Sequence, residues 1–327
     1  MTGRRVRLGP GAEFDLIRGF LADEGELGPE IRVGPGDDAA VLEGGWVVTT
    51  DLSVEDVHFR RDWITDAEIG YRAGAAAISD LAAMAATPVA VLVSVACPRA
   101  GGVDLVAVHA GLRRIAATVG ADVIGGDTSR SPGPLFIDVT ALGRAQRPIL
   151  RDGAEPGDDV WVTGTLGASA AAVNTWLAGG TPPEALRSAY ATPIPRVDEA
   201  LCLVDREVVE AMIDLSDGLA GDLGHVAAAS GVRIVIEAGR VPLAPAAEEA
   251  FGPEAALELA LGGGEDYELA FVTDPGVVDP EYFDRRHGVR LTRVGRVEEG
   301  EGVWLEAGDG ATRPAGGGFD HWREGAD

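Results

Sequence analysis

Ala211-Met212-Ile213-Asp214-Leu215-Ser216-Asp217-Gly218 is the stretch on which the fold turns. A short apolar strand, residues 211–214, closes on an aspartate. A Ser-Asp-Gly turn follows, and residues 218–230 then read as a helix. Strand-to-helix turns of this kind are the building step of α/β proteins, which place ligands at strand ends. Outward from this stretch the alternation repeats. Strands are expected at residues 46–50, 88–96, 135–143, 160–162, 232–236 and 267–272. Helices are expected at 12–23, at 66–86 behind a Thr65 cap, at 104–119, from Leu166 onward and near 245–261. The polar, turn-rich run Arg151-Asp152-Gly153-Ala154-Glu155-Pro156-Gly157-Asp158-Asp159 separates two halves, residues 1–150 and 151–327. Two domains also suit a chain of 327 residues.

Composition narrows the chemistry. The 27 basic residues are all arginine, and 53 acidic residues give a formal net charge of −26. With no lysine, a Walker-A loop, a protein-kinase strand lysine and Schiff-base catalysis are excluded. The acidic balance argues against nucleic acid and anionic membrane surfaces as partners. No apolar run reaches the roughly 18 residues of a membrane span. The arginines within residues 1–8 are followed by no apolar segment of the signal-peptide type. Cys97 and Cys202 have no CxxC spacing and read as buried thiols in a reducing cytosol.

The recurring feature is the single aspartate beside glycine or a hydroxyl residue. It occurs in Gly36-Asp37-Asp38, Thr49-Thr50-Asp51, Ser79-Asp80, Gly125-Gly126-Asp127-Thr128 and Asp214-Leu215-Ser216-Asp217-Gly218. Alone, each such pair is an ordinary turn. Asp51 and Asp214 each close an apolar strand, where a buried carboxylate is costly unless paired or metal-bound. Several together fit a Mg²⁺-phosphate site, because hard carboxylate oxygens suit Mg²⁺ and neighbouring N–H groups cradle phosphate. The bland alternative is a solvated acidic surface. Gly262-Gly263-Gly264-Glu265-Asp266-Tyr267-Glu268 precedes a strand and reads either as a flexible turn or as a ligand-facing loop with Glu265 as acceptor. His58 and Arg151 each admit a structural or solvated reading beside a functional one. His109, His225, His287 and His321 lack metal-ligand spacing, so zinc is not expected. No GxSxG elbow is present, and Gly164-Thr165-Leu166-Gly167 reads as a helix start.

Taken together these segments resemble the thiamine-monophosphate kinase family, within the aminoimidazole-ribonucleotide-synthetase-like superfamily. The stretches that carry the resemblance run from Phe14 to Phe319. They are residues 34–40, 49–51 through 57–59, 79–84, 125–128, 214–219 and 263–269. The resemblance implies an α/β, layered, two-domain fold whose N-terminal sheet forms a homodimer. It implies ATP-dependent phosphorylation of thiamine monophosphate to thiamine diphosphate, with several Mg²⁺ ions; no catalytic base is assigned, because the acceptor phosphate, with its second pKa about 6, is already mostly ionised at neutral pH. It implies that Asp38, Thr49, Thr50, Asp51, Asp80, Asp127, Asp214 and Asp217 ligate metal. Gly126, Asp127, Arg151 and Ser216 are then the ATP contacts, and His58, Glu265 and Phe319 the substrate contacts. Asp56 and Ala85 stand where the family usually has glycine, so altered loop geometry is expected there. The alternatives within the superfamily are a selenophosphate synthetase, which would carry an early reactive cysteine, and a hydrogenase-maturation protein, which would end in a cysteine rather than Glu324-Gly325-Ala326-Asp327. Aminoimidazole ribonucleotide synthetase itself would lack the residue 263–269 stretch. A non-catalytic metal- or nucleotide-binding regulator is the alternative from another class.

Overall fold

The computed structural model describes residues 3–22, 25–98, 102–206 and 208–322. The first two residues of the arginine-bearing N-terminus, the last residue of the expected 12–23 helix and the 324–327 stretch lie outside the described residues. The first half runs α1 (Ala12–Leu21), β1 (Ile31–Val33), β2 (Ala40–Leu42), β3 (Trp46–Val54), α2 (Asp66–Ala83), β4 (Thr87–Pro98), α3 (Leu105–Thr118), β5 (Asp122–Ser131) and β6 (Phe136–Arg144). Its strands form a six-stranded sheet in the order β1-β2-β3-β6-β4-β5.

The second half runs β7 (Asp159–Thr163), α4 (Ala168–Leu177), α5 (Glu184–Ala191), α6 (Val197–Asp205), β8 (Ala211–Asp214), α7 (Leu219–Ser230) and β9 (Arg233–Glu237). It continues with α8 (Pro245–Phe251), α9 (Pro253–Gly262), β10 (Leu269–Thr273), α10 (Pro280–His287), β11 (Leu291–Glu298), β12 (Gly302–Glu306) and β13 (Thr312–Pro314). These strands form a seven-stranded sheet, β13-β12-β9-β11-β7-β10-β8. Each sheet holds one parallel pair, β4 with β5 and β9 with β12, and its other pairings are antiparallel. The layers are therefore mixed α and β rather than a run of parallel βαβ units.

Helix α2 is the wall the two halves share. Thr65 starts it with a capping box: the Thr65 hydroxyl accepts from the Glu68 N–H at 3.3 Å, and Glu68 accepts from the Thr65 N–H at 2.8 Å. Fourteen of its eighteen residues are buried. Small residues let α3 approach closely: a Cβ at Gly70 would fall 1.8 Å from the Val108 carbonyl oxygen, and one at Gly111 1.7 Å from that of Ala67. On β3 the inward residues Val47, Thr49 and Ser53 are buried, whereas Thr50 and Leu52 on the opposite face are exposed.

Several expectations need correction. Asp51 does not end its strand, because β3 continues to Val54 and is paired with β6 throughout. Gly125-Gly126-Asp127-Thr128 lies inside β5 rather than at a strand end. The chain beyond residue 273, where no element was expected, forms α10 and three strands. The cysteines are free but only half-buried. Asp56 and Ala85 have positive φ, 67° and 49°. Both loops thus place a non-glycine residue in the left-handed backbone region that glycine adopts freely, and they carry its strain.

Candidate functional site

Three carboxylates from three elements meet between the sheets. Asp38 follows β1, Asp80 lies near the C-terminal end of α2, and Asp214 ends β8. One oxygen from each lies within 4.8 Å of the other two. The Thr49 hydroxyl donates to Asp80 at 2.5 Å, and the Ser79 hydroxyl donates to Asp214 at 2.6 Å. Arg151 donates through its guanidinium to Asp38 at 2.7 Å and through its backbone N–H to Asp37 at 3.0 Å. With side-chain exposure of 13%, Arg151 is not the solvated loop arginine its polar surroundings suggested. Asp37, quoted in the motif but assigned no role, is thus part of the cluster.

The electrostatics record the crowding. Burial, then the charge of Asp38, pushes both Asp37 and Asp214 up to about 7. Burial, then Asp214, Asp38 and Asp51, raises Asp80. Asp51 is pushed up to about 6 by burial; Arg72 pulls the other way, and Glu265 adds to the rise. Asp217 reaches about 7 through burial and the charge of Glu13. Carboxylates that would ionise freely in water are held short of full charge here.

Two groups flank the cluster. On one flank, Asp217, Asp222 and His225 bring one ligand atom each within 4.8 Å. The Asp217 N–H donates to Asp222 at 3.1 Å, and burial holds His225 down to about 3. Asp222 and His225 were missed in the sequence, where an i, i+3 pair on the helix behind Asp217 was the available signal. The second group holds the expected substrate contacts and adjoins the first at Asp217. The Ser216 carbonyl accepts from the Glu265 N–H at 2.7 Å, and the Asp217 carbonyl accepts from the Phe319 N–H at 2.9 Å. The His321 ring stands 4.8 Å from both His58 and Phe319, so the three form one aromatic group. His58 Nδ1 accepts from the Val54 N–H at 3.0 Å, and burial with nearby charge lowers its pKa to about 4. It is therefore neutral at pH 7, and its proton sits on Nε2. Arg72, also missed, reaches Glu265 from α2. Its place as the one arginine just ahead of the Ala-rich run 73–77 was its only signal.

Three expected residues stand apart. Thr50 lies on the open face of the first sheet and donates to Asp138 at 2.7 Å. Gly126 and Asp127 are exposed on the edge strand β5. Register aligns Leu52 with Asp138, Asp138 with Ser94, and Ser94 with Asp127. Asp127 is therefore three strand spacings, roughly 14 Å, from β3.

Two sheets sharing a central helix, with aspartates from both halves converging beside it, define a two-domain protein of the AIR synthase related class. The AIR synthase related protein N-terminal domain matches residues 36–145, and its C-terminal domain matches residues 155–306. Within that class the chain is 35% identical to the thiamine-monophosphate kinase of Rhodopirellula baltica, over 84% of this chain and 86% of that one. It is 34% identical to that of Escherichia coli K12, over 79% and 82%. The chain belongs to the thiamine-monophosphate kinase family. Among solved structures it is similar to thiamine-monophosphate kinase from Stenotrophomonas maltophilia (36% identity, TM-score 0.76, 94% of this chain and 98% of that one). It is also similar to AaThiL complexed with AMPPCP and TMP (32%, TM-score 0.80, 95% and 97%). The hydrogenase maturation protein HypE in complex with ATP, at 20% identity and a TM-score of 0.69, shares the fold alone.

Proposed function

We propose that this protein transfers the γ-phosphoryl group of ATP to the phosphate of thiamine monophosphate, giving thiamine diphosphate and ADP. The observation that carries the reading is the convergence of Asp38, Asp80 and Asp214 within 4.8 Å in a member of this kinase family. The relative solved with AMPPCP and TMP supports a site for a nucleotide and a phosphate ester together.

The donor set fits Mg²⁺. It is all hard oxygen, and Asp38 Oδ2 is a buried carboxylate oxygen with no hydrogen-bond partner. Asp38, Asp80 and Asp214 would hold the ion, with Asp51 and Asp217 on either side. When bound, Mg²⁺ supplies the positive charge that neutralises the transferring phosphoryl group. The chain itself has little positive charge to offer there. Arg151 donates from its guanidinium to Asp38 and from its backbone N–H to Asp37, and is the expected nucleotide contact. Ser216 and the α7 N-terminus present polar groups beside Asp217. His58 donates through Nε2 and has no proton-accepting nitrogen left, so it orients substrate and does not act as a base. None is needed, because a phosphate monoester with its second pKa about 6 is already mostly ionised at neutral pH. Glu265 and Phe319 complete the thiamine side as an acceptor and an aromatic face.

The proposal includes a homodimer. The first sheet is covered by α2 and α3 on one face. Its other face exposes Leu52 (52%), and edge strand β5 exposes Ile124 (61%). A second copy laid there would cover that surface and bring Thr50, Gly126 and Asp127 to a partner's site. Residues 1–150 would then be the metal-binding and dimerising unit, and 151–327 the second unit. Among the described residues no helix is long and apolar enough to cross a membrane, and we place the enzyme in the cytoplasm.

The test is product analysis. Purified protein with Mg²⁺ and ATP converts thiamine monophosphate to the diphosphate and leaves free thiamine largely untouched. Faster phosphorylation of free thiamine would show that the acceptor is wrongly assigned.

A further inference from the structure

We propose that Arg72 is the positioning residue for the thiamine side of the site, fixing Glu265 directly and the His58 loop through Tyr190. This rests on the substrate-side roles proposed above for Glu265 and His58.

The geometry is specific. Arg72 is 3% exposed, on the wall helix α2. One guanidinium nitrogen forms an ion pair with Glu265, and another donates to the Tyr190 carbonyl oxygen at 2.5 Å. The guanidinium lies 3.9 Å from the Tyr190 ring centroid and 5.9 Å from that of Tyr267. The Tyr190 hydroxyl in turn donates to the His58 carbonyl oxygen at 2.9 Å. One buried cation thus spans both expected substrate contacts.

Its register on α2 gives the arrangement a purpose. Among the buried residues of α2 the strongly polar side chains are Arg72 and Ser79, seven residues and two helical turns apart. They share one stripe of the helix. Ser79 holds Asp214, on the metal side; Arg72 holds Glu265, on the thiamine side. A helix–sheet contact needs no buried guanidinium, since apolar residues fill such a space at lower cost. Retaining one where it meets a carboxylate of the site points to use.

The backbone agrees. Glu265 and Tyr267 are non-glycine residues with φ of 62° and 51°. Such conformations persist where surrounding contacts over-determine them. Arg72 supplies contacts to both residues, together with the Glu265 N–H bond to Ser216. The ion pair engages one Glu265 oxygen, and the side chain is still 26% exposed. Its other oxygen is then available to accept from an amino group of the substrate's heteroaromatic ring.

Four variants test this: Arg72→Met, Arg72→Lys, Glu265→Gln and the double variant Arg72→Met/Glu265→Gln. Each is assayed for kcat, for KM with both substrates, and for the melting shift produced by thiamine monophosphate alone. Arg72→Met raises KM for thiamine monophosphate about tenfold and that for ATP about twofold or less. Arg72→Lys recovers only part of the loss, because an ammonium cannot reproduce the planar fork. The double variant raises KM by less than the product of the two single effects, since the Glu265 arm is already lost in Glu265→Gln and only the His58 arm remains for Arg72→Met to remove. Equal effects on both substrates, or multiplying effects in the double variant, overturn the proposal. Should Arg72→Met not fold, Arg72→Lys decides: an unchanged KM and melting shift overturn it. If Glu265→Gln itself leaves KM for thiamine monophosphate unchanged, the underlying site reading has failed. If Glu265→Gln raises that KM and the Arg72 variants do not, only the role of Arg72 has failed.

Discussion

Replacing Asp214 by asparagine should abolish activity and yet stabilise the protein in EDTA, increasingly so as the pH rises. Asp214 is 3% exposed and its folded pKa is raised from 3.8 to about 7. A raised carboxylate pKa means that the folded state binds the proton more tightly than the unfolded chain. Its stabilising contribution is complete below pH 3.8 and is lost as the pH climbs through about 7. The loss amounts to about 4 kcal/mol by pH 8, against about 1–2 kcal/mol at pH 5. Burial is the larger cause, and repulsion adds to it: with carboxylate oxygens no more than 4.8 Å apart and an effective dielectric near 20, an ionised neighbour repels by about 3.5 kcal/mol or more. Asparagine keeps an oxygen for the Ser79 hydroxyl and removes the charge. In EDTA at pH 8 the variant should melt above wild type by roughly 5 °C or more, and the gap should shrink at pH 5. Adding Mg²⁺ with a non-hydrolysable ATP analogue should close most of the gap, because a hundredfold excess over Kd stabilises wild type by about 2.7 kcal/mol. Scanning calorimetry from pH 5 to 8 measures all of this. An Asp214→Asn protein that melts below wild type at pH 8 in EDTA would refute the reasoning and make Asp214 a structural hydrogen-bonding residue.

Two further outcomes are expected. If Asp127 serves a partner's site, Asp127→Asn and Asp214→Asn are each inactive, but mixing them under subunit exchange restores about a quarter of wild-type activity, since half the dimers are mixed and each carries one intact site; no recovery in dimers shown to have exchanged would place Asp127 in its own chain's site. The left-handed Ala85 should tolerate glycine, which relieves strain but loses a buried methyl, within about 1 kcal/mol by urea unfolding, whereas Ala85→Val should cost about 2 kcal/mol or more; a valine variant as stable as wild type would show that the turn is not strained.

How much of this was legible before the structure depends on which signals are local. The strand-to-helix turn at Asp214 was readable because an apolar run, a turn and an Ala-rich helix lie within twenty residues. The Thr65 cap was readable for the same reason. Asp51 was misplaced because Leu52-Ser53-Val54 alternates weakly and pairs with Asp138, Ile137 and Phe136 on β6, far away in sequence. Strands β11 and β12 carry arginine and glutamate on half-buried faces, paired across the sheet as Arg293 is with Asp159 and Glu237, and β13 is exposed throughout, so their apolar period is diluted. The aspartate motifs named the right residue types but not which of them meet. Asp38, Asp80 and Asp214 converge because β1, α2 and β8 do, and that is a tertiary fact. Arg72 was invisible for the opposite reason: its partners Glu265 and Tyr190 are more than a hundred residues away.

The position of the site beside α2, rather than along strand ends, follows from the sheet topology. In a doubly wound sheet the strands run parallel and their carboxyl ends form one rim for ligands. Here each sheet has one parallel pair, so neither has a rim of its own. What the halves share is a helix buried almost all round, and a helix has a register. Thr49 from the first sheet meets Asp80, Asp214 from the second meets Ser79, and Glu265 meets Arg72 two turns earlier. Three contacts from separate parts of the chain are thus set to one another by the 5.4 Å pitch of a single element. A rigid spacing suits phosphoryl transfer, where the protein's task is to hold two anionic groups in line while charge is neutralised. The buried aspartates beside that helix are a cost of the same design: burial, and then their mutual repulsion, raises their pKa values, a strain that the fold sustains until a cation relieves it.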